Sequence, residues 1–435
     1  MTRQAVSARI RRAIVAAVVG LVLVPGVLAI TSGKEYKFKA APDGTEPSSG
    51  LISDGLGNFY GTTIIGGETI GNTCSAGGCG TVFMVSRNQA GVWAKTLIYK
   101  FTGGTDGAFP QGNLTFDGTG GIYGTATRGG VGQNGTVFSL TPNQDGTWTE
   151  NTLYSFTGGA DGGQPATGVI LDQVGNLYGT TLGGGICTPF CNGIVFELTP
   201  SNGKWTETTL YSFTDGGSAN PSGLVFDVAG NIYGTTGRGG SAPCICGTVF
   251  ELMPNQDGTS TESVLYTFTD GLDGGTPSSG LTFDSVGNLY GEAYFGGSFA
   301  CPTSGCGVVF QLSAVSGGGW KYGVVHTFSG LNGSKGEGPI GGLALDASGD
   351  VYGTTNVGGD AACGCGTIFK LSVKAGGGFN FNMIASFNGA NGSIPVAGVI
   401  VDTAGNLYGT ASQGGDLSCS VNFSRGCGVV FTISP

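Results

Sequence analysis

The stretch Gly168–Thr181, GVILDQVGNLYGTT, decides the fold of this chain. Two runs of alternating apolar residues flank an Asp-x-x-Gly turn signal, so the stretch predicts two antiparallel strands. Two further runs follow, Gly193–Leu198 (GIVFEL) and Trp205–Phe213 (WTETTLYSF), which predict a third and a fourth strand. We name these strands A, B, C and D.

The four-strand pattern recurs seven times. A Tyr-Gly pair marks strand B in every copy, at Tyr60, Tyr123, Tyr178, Tyr233, Tyr290, Tyr352 and Tyr408. A phenylalanine marks strand C, at Phe83, Phe138, Phe196, Phe250, Phe310, Phe369 and Phe431. Another phenylalanine ends strand D, at Phe38, Phe101, Phe156, Phe213, Phe268, Phe328 and Phe387. Four strands per repeat of about 55–60 residues predict an all-β, seven-bladed β-propeller with four antiparallel strands per blade.

The order of the elements predicts how the ring closes. The first element is a lone D strand, Tyr36-Lys-Phe38, and the last is a C strand, Gly428–Ile433. Pairing the two supplies the missing strand of the last blade and removes both exposed sheet edges. We therefore expect a single propeller domain over residues 34–435.

The first 29 residues have the features of an export signal. Arg3, Arg9, Arg11 and Arg12 precede an apolar run that ends at a small residue, Ala29, and an uncleaved membrane anchor is the alternative. Removing these four arginines from 18 basic and 28 acidic residues leaves a net charge of −14. We expect a secreted or cell-surface monomer without a membrane span after cleavage. So acidic a surface favours neutral or cationic partners, such as a glycan or a surface protein, and disfavours nucleic acid.

All twelve cysteines fall between strands B and C, as pairs in six of the seven repeats. The pairs are Cys74/Cys79, Cys187/Cys191, Cys244/Cys246, Cys301/Cys306, Cys363/Cys365 and Cys419/Cys427. An even count in an exported chain predicts disulfides within each pair. We expect each bond to close a very small loop, with the second cysteine directly before the glycine that opens strand C in nearly every pair.

Two cysteine pairs leave only one residue between the thiols, so other pairings or free thiols are the alternative for them. A zinc or redox site is a further alternative for the cysteines. Such a site would require thiolates from separate blades to converge.

The B–C and D–A connections should lie on one face, because neighbouring strands run in opposite directions. These connections vary most in length, and variable loops on a constant scaffold are where ligands commonly bind, although neutral drift explains the variation equally well. Carboxylates that break the repeat are the candidate ligand residues: Glu46, Glu68 and Glu337 in the loops of this face, and Glu292, which replaces a threonine of strand B.

No catalytic set is evident in the sequence. The single histidine, His326, stands where other D strands carry tyrosine, so neither a Ser-His-Asp triad nor a multi-histidine metal site can be built around it. The Asp-Gly steps at Asp43, Asp106, Asp161 and Asp273 could hold calcium, but a turn suffices to explain them. We therefore expect no cofactor, with calcium as the alternative.

The repeat resembles the GloVer (Gloeo/Verruco) tandem-repeat family across essentially the whole mature chain. The similarity rests on Leu153–Thr157, Asp161-Gly162, Gly223–Asp227, Gly230–Thr235, Gly239-Gly240 and Gly247–Phe250. The resemblance implies an exported bacterial protein and brings no catalytic residues with it. This chain departs from the family by stopping directly after the last strand, which puts surface anchoring through a C-terminal signal in doubt.

Three functions are compatible with these observations. The first is a non-catalytic binding or scaffold protein whose ligand, a polysaccharide or a surface protein, sits on the Cys-bearing face. The second is a polysaccharide hydrolase or lyase that uses Glu292 with a second carboxylate. The third is a structural component of the cell surface. Because propellers host many unrelated activities, the fold does not choose among them.

Overall fold

The protein is a seven-bladed β-propeller. A computed structural model describes residues 36–40, 42–67, 74, 77–187, 191–214, 218–240, 244–301, 305–330, 335–421 and 424–434. The predicted signal over residues 1–29 and the candidate Glu68 lie outside these residues. Each blade is an antiparallel sheet with strands A, B, C and D side by side in that order. In blades 1 to 6 this is also their order in the sequence, whereas strand D of blade 7 comes first in the chain. Within the described residues no helix is long and apolar enough to cross a membrane.

The strands of each blade fall at the predicted places. Blade 1 comprises Ile52–Ser53, Asn58–Ile65, Thr81–Arg87 and Trp93–Lys100. Blade 2 comprises Thr115–Phe116, Ile122–Ala126, Thr136–Pro142 and Trp148–Ser155. Blade 3 comprises Ile170–Leu171, Leu177–Thr180, Ile194–Ser201 and Lys204–Ser212. Blade 4 comprises Val225–Phe226, Ile232–Gly239, Thr248–Pro254 and Ser260–Thr267. Blade 5 comprises Thr282–Phe283, Leu289–Phe295, Val308–Ala314 and Trp320–Thr327. Blade 6 comprises Ala344–Leu345, Val351–Val357, Thr367–Val373 and Phe379–Ser386. Blade 7 comprises Ile400–Val401, Leu407–Ala411, Val429–Ile433 and the N-terminal Tyr36–Lys37.

The closure prediction is confirmed. Tyr36 pairs with Val430 and Lys37 with Val429, antiparallel, so the first described strand is the outer strand of the last blade. Phe38 then packs against Phe83 of blade 1 with ring centroids 5.0 Å apart. The seam between blades 7 and 1 thus contains the same D-to-C phenylalanine contact as every other seam.

The core lies between the blades rather than within them. In each seam the phenylalanine that ends strand D meets the strand C phenylalanine of the next blade edge to face, at centroid distances of 5.0–5.4 Å. These rings are essentially inaccessible to solvent. Burying each ring stabilises the fold by roughly 1.5–3 kcal/mol, so the seams carry much of the folding free energy.

Two features of the connections were not predicted. Four D–A connections contain a short extra strand that pairs with the end of strand B: Thr45–Pro47, Ser218–Pro221, Gly275–Pro277 and Glu337–Pro339. Blade 7 also carries a small hairpin, Ser420–Val421 with Ser424–Arg425, in its B–C connection. Glu46 and Glu337, which we expected in loops, therefore lie in these short strands. Glu337 pairs with Val357 of strand B, whereas Glu46 lies between the paired residues Thr45 and Pro47.

A proline-glycine contact joins neighbouring blades in six seams. The proline of the D–A connection covers the glycine that opens strand C of the preceding blade, as Pro110 covers Gly80 and Pro47 covers Gly428. A Cβ atom on either glycine would lie about 2.4–2.5 Å from the proline ring, so no side chain fits there. This contact places the D–A connection of one blade directly against the B–C connection of the preceding one.

Candidate functional site

The B–C and D–A connections share one end of the propeller, which we call the disulfide face. Six disulfides lie on it, and they join the predicted pairs: Cys74–Cys79, Cys187–Cys191, Cys244–Cys246, Cys301–Cys306, Cys363–Cys365 and Cys419–Cys427. The A–B and C–D turns form the opposite end, the turn face. In the one blade without cysteines, Asn134 occupies the place of the second cysteine, and its amide donates to the carbonyls of Gly132 and Thr157 at 2.8 and 2.7 Å.

Two of the disulfides differ from the other four, in how they adjoin strand C or in the length of the loop that they close. Cys191 is exposed, and Asn192 separates it from Gly193, so in blade 3 the cysteine does not adjoin the strand. Cys427 does adjoin the glycine and is fully buried, but its bond to Cys419 spans 8 positions. That larger loop contains the small hairpin of blade 7, whose own strand pairing supports it.

The backbone carbonyl before the first glycine of strand C connects neighbouring blades. In six seams it accepts a hydrogen bond of 2.6–3.2 Å from the N–H of the residue that precedes the proline of the next blade. Examples are Phe109 N–H to Cys79 and Glu46 N–H to Cys427, at 2.8 and 3.2 Å. Five of the six acceptors are cysteines, and the sixth is Asn134. The disulfides therefore hold in place the carbonyls to which the next blade is attached.

The residues that precede these prolines adopt a left-handed backbone conformation. They form a set that we call the αL ring, with φ between 51° and 62°: Glu46, Phe109, Gln164, Asn220, Thr276, Gly338 and Ile394. Nine non-glycine residues with positive φ occur in the described part of the chain, and six of them belong to this ring. The conformation costs about 1–2 kcal/mol for a residue with a Cβ atom, and a following proline disfavours it further.

The αL ring precedes, in the chain, the residues that line the central channel, and none of its members is itself in that lining. A few residues after six of the ring members, the chain reaches the channel wall, where Gly50, Gly223, Gly280, Gly342 and Gly398 contribute backbone and Asn113 contributes a side chain. The channel encloses about 340 Å³. All six side chains of the ring are at least partly exposed.

Glu292 lies behind the channel wall, between blades 5 and 6, and is fully buried. In five other seams the corresponding threonine donates to a carbonyl of the next blade, as Thr235 does to Ser279 at 2.9 Å. Glu292 instead accepts the Gly342 N–H through Oε2 at 3.0 Å. The next blade can present an N–H there because Gly341 and Gly342 have φ values of 109° and 94°.

Burial raises the pKa of Glu292 to about 7, against the smaller opposing effects of the Gly342 amide and the Ser279 hydroxyl. Its Oε1 atom makes no hydrogen bond of normal geometry among the described residues, although Ser279 is close enough to affect the pKa. No carboxylate of the described chain is among the groups that shift it. The arrangement is a lone acid screened from solvent, without the paired acid that glycosidic cleavage uses.

The other two candidate acids in the described residues are not among the groups that shift the pKa of Glu292. Glu46 belongs to the αL ring, and Glu337 precedes its glycine member, Gly338. Glu337 Oε2 lies 2.6 Å from Cys301 Sγ. Together with Cys306 these residues form the one cluster of potential metal ligands in the described part of the chain. Because the two sulfurs are joined to each other, they are not thiolate ligands.

The aspartates of the repeat form turns, as their hydrogen bonds show. Asp172 at the A–B turn accepts the N–H groups of Val174 and Asn176 at 2.9 Å each. Asp161 of the Asp-Gly steps accepts Thr157 N–H at 2.9 Å and Tyr154 O–H at 3.1 Å. Calcium binding at Asp43, Asp106, Asp161 and Asp273 remains a prediction.

His326 packs against aromatic rings of strand D and of the next blade. It stacks on Phe381 with centroids 4.2 Å apart and an interplanar angle of 5°. Burial, with a smaller effect of Lys335, lowers its pKa to about 4, so the ring is neutral at physiological pH. It replaces a packing tyrosine of strand D, as the sequence predicted.

A family model, the Gloeobacter/Verrucomicrobia repeat, matches residues 28–188 and 188–423. The chain belongs to the Gloeobacter/Verrucomicrobia repeat family. No curated protein matches its sequence.

Solved structures resemble this member of the Gloeobacter/Verrucomicrobia repeat family in fold alone. A polysaccharide lyase, an ulvan lyase bound to -[GlcA(1-4)Rha3S]-, is 11% identical with a TM-score of 0.51, over 92% of this chain and 96% of its own. A protein from Bacteroides uniformis assigned as a 6-phosphogluconolactonase is 15% identical with a TM-score of 0.50, over 83% of this chain and 89% of its own. PorZ, a surface component of the type IX secretion system of Porphyromonas gingivalis, is 12% identical with a TM-score of 0.48, over 91% of this chain and 47% of its own.

Proposed function

We propose that this protein is a non-catalytic binding protein of the bacterial cell exterior, which holds a neutral polysaccharide at the channel entrance on the disulfide face. One observation carries the proposal: six positions of the αL ring hold residues with side chains, although glycine would adopt the same backbone conformation without strain. The chain contains 88 glycines and uses them at most other positions of positive φ. Gly338 shows that the ring itself accepts glycine.

The chemistry of these side chains suits a sugar. Gln164 and Asn220 offer amide donors and acceptors, Glu46 offers a carboxylate, and Phe109 offers a ring face for stacking. The acidic net charge of −10 disfavours a polyanionic ligand. Disulfides on the same face are consistent with an oxidising location outside the cytoplasm.

The proposal is tested by a glycan array followed by titration of the best neutral oligosaccharide. Gln164→Gly and Asn220→Gly remove two ring side chains while leaving the backbone conformation favourable, so we expect folding to be retained and affinity to fall about tenfold or more. Asn202→Gly is the matched control, because Asn202 also has positive φ (49°) but lies in a C–D turn on the opposite face. Unchanged affinity in the ring variants, or an array without a neutral glycan ligand, contradicts the proposal.

A hydrolase or lyase centred on Glu292 is the alternative that a specific observation favours, since the pKa of this acid is near neutrality. Its complete burial argues against direct contact with substrate. Incubating the array ligand with the wild type and with Glu292→Gln, and assaying for new reducing or unsaturated ends, distinguishes the two functions. Turnover that Glu292→Gln abolishes would establish the enzyme, whereas binding without turnover supports the binding protein and a purely structural surface role predicts neither.

A further inference from the structure

An aromatic ring opens strand D in five of the blades. These residues pair with the end of strand C, and they are Trp93, Trp148, Trp205, Trp320 and Phe379. Each lies beside the strand B tyrosine of the preceding blade, with centroids 5.8–6.5 Å apart. The counterpart in blade 7 lies outside the described residues.

Blade 4 has no aromatic residue at this position. Ser260 takes its place and pairs with Pro254. At this position a cavity of about 140 Å³ lies between blades 3 and 4. We call it the seam cavity, and it is lined mainly by Tyr178, Leu210, Phe226, Ile232, Pro254 and Ser260. A cavity of about 150 Å³ with aliphatic and aromatic walls stays dry and binds benzene in another protein.

The walls of the seam cavity match those that enclose tryptophan one seam further on. Tyr178 and Phe226 meet edge to face at 5.0 Å and 87°, and their counterparts Tyr233 and Phe283, beside Trp320, do so at 5.4 Å and 88°. The cavity is therefore shaped for a planar ring before any ligand arrives.

The polar rim of the seam cavity selects the charge of the ligand. Glu197 accepts the Tyr178 hydroxyl at 2.8 Å and also lines the cavity. An acceptor at this position favours a ring N–H or a cationic group and repels a carboxylate.

We propose that the seam cavity between blades 3 and 4 is a binding site for a planar, uncharged or cationic aromatic ring of indole size. The site is on the turn face, away from the αL ring, and is independent of the function proposed for that ring.

Calorimetric titration of the intact protein with indole tests the proposal. We expect saturable binding of one indole per chain, and Ser260→Trp, which fills the cavity with the side chain found in four other blades, should abolish it. Ser260→Ala leaves the cavity open and should bind as the wild type does. Ser260→Phe is a second filling variant, equivalent to the natural Phe379 of blade 6, should the tryptophan variant fail to fold.

Titration with a tryptophan peptide distinguishes the two kinds of ligand that could supply the aromatic ring, a partner protein and a free small molecule. Binding of capped Gly-Trp-Gly as well as indole supports a ring presented by a partner protein, whereas binding of indole alone supports a free small molecule. Absence of indole binding, or equal binding by Ser260→Trp and the wild type, overturns the proposal. Trp320→Ser provides a gain-of-function check, because it should open a second cavity beside Tyr233 and raise the stoichiometry from one to two.

Discussion

Glu292 shows how one residue can depart from a repeat when its neighbours change with it. Six blades place a threonine there, and the threonine donates to a carbonyl across the seam where that bond is present. An ionised carboxylate cannot donate, and the backbone at Gly341-Gly342 turns to offer an N–H in return. Glu292 and the two glycines therefore act together: the acid supplies an acceptor, and the glycine backbone supplies the N–H that it accepts.

Glu292 should make the stability of the protein depend on pH. Its pKa is about 7 in the folded chain and near 4.5 in the unfolded chain, so the folded state binds the extra proton between these values. Stability is thus highest below pH 4.5 with respect to this group and is lost as the pH rises through 7, by an amount on the order of 3 kcal/mol.

Urea unfolding of the wild type and Glu292→Gln at about pH 5 and about pH 8 measures this contribution. We expect the wild type to lose more stability than the variant between the two pH values, because the glutamine carries no charge to bury. All other titrating groups are shared, so they cancel in the comparison. Parallel changes in the two proteins would show that Glu292 does not titrate in this range.

At the scale of the element, the B–C connection is held in two chemically different ways. Six blades use a disulfide, and blade 2 uses the Asn134 amide. In blade 2 and in five of the disulfide blades, the residue that is held supplies the carbonyl that accepts the next blade's N–H. A hydrogen-bonded amide can therefore take the place of a covalent link of this kind.

Asn134→Ala should destabilise the protein by about 1–2 kcal/mol, because it removes two hydrogen bonds from the side chain to backbone carbonyls. Asn151→Ala, on the exposed surface of strand D in the same blade, is the control and should change stability by less than about 0.5 kcal/mol. Chemical denaturation with and without reductant measures both. Equal effects of the two substitutions would mean that Asn134 does not hold the connection.

Strands and turns were predictable from the sequence, whereas the αL ring was not. Alternation and the Asp-x-x-Gly signal define strands A and B because they reflect burial and turn geometry directly. Residues such as Phe109 and Ile394 before a proline carry no sequence signal for positive φ, and their N–H groups make the hydrogen bond to the preceding blade in that conformation. Ser260 interrupts a series of aromatic residues that is visible in the sequence, but the sequence did not predict the cavity that lies beside it.

At the scale of the whole molecule, the ring depends on a contact between the first and the last strand of the described chain. Phe38 is as deeply buried as Phe213, its counterpart inside the ring. Seam contacts are equivalent by repetition, and so we expect the closing seam to be as stable as the others.

Phe38→Ala and Phe213→Ala should each cost about 3–5 kcal/mol, since both remove a buried ring from a seam. Denaturant midpoints of the two variants, compared with the wild type, test the equivalence. A nearly neutral Phe38→Ala beside a strongly destabilising Phe213→Ala would show that the N-terminal strand does not belong to the closed ring.

The pairing of Tyr36 with Val430 brings the two ends of the described chain onto adjacent strands of one sheet. The ring of blades is therefore continuous at the point where the described chain starts and stops. A short linker could join these ends. A cut in any C–D turn would then create new termini, and the two terminal strands, C and D, would pair with each other in a different blade. Circular permutants of this kind should keep the same seven blades, with only the position of the chain break moved around the circle.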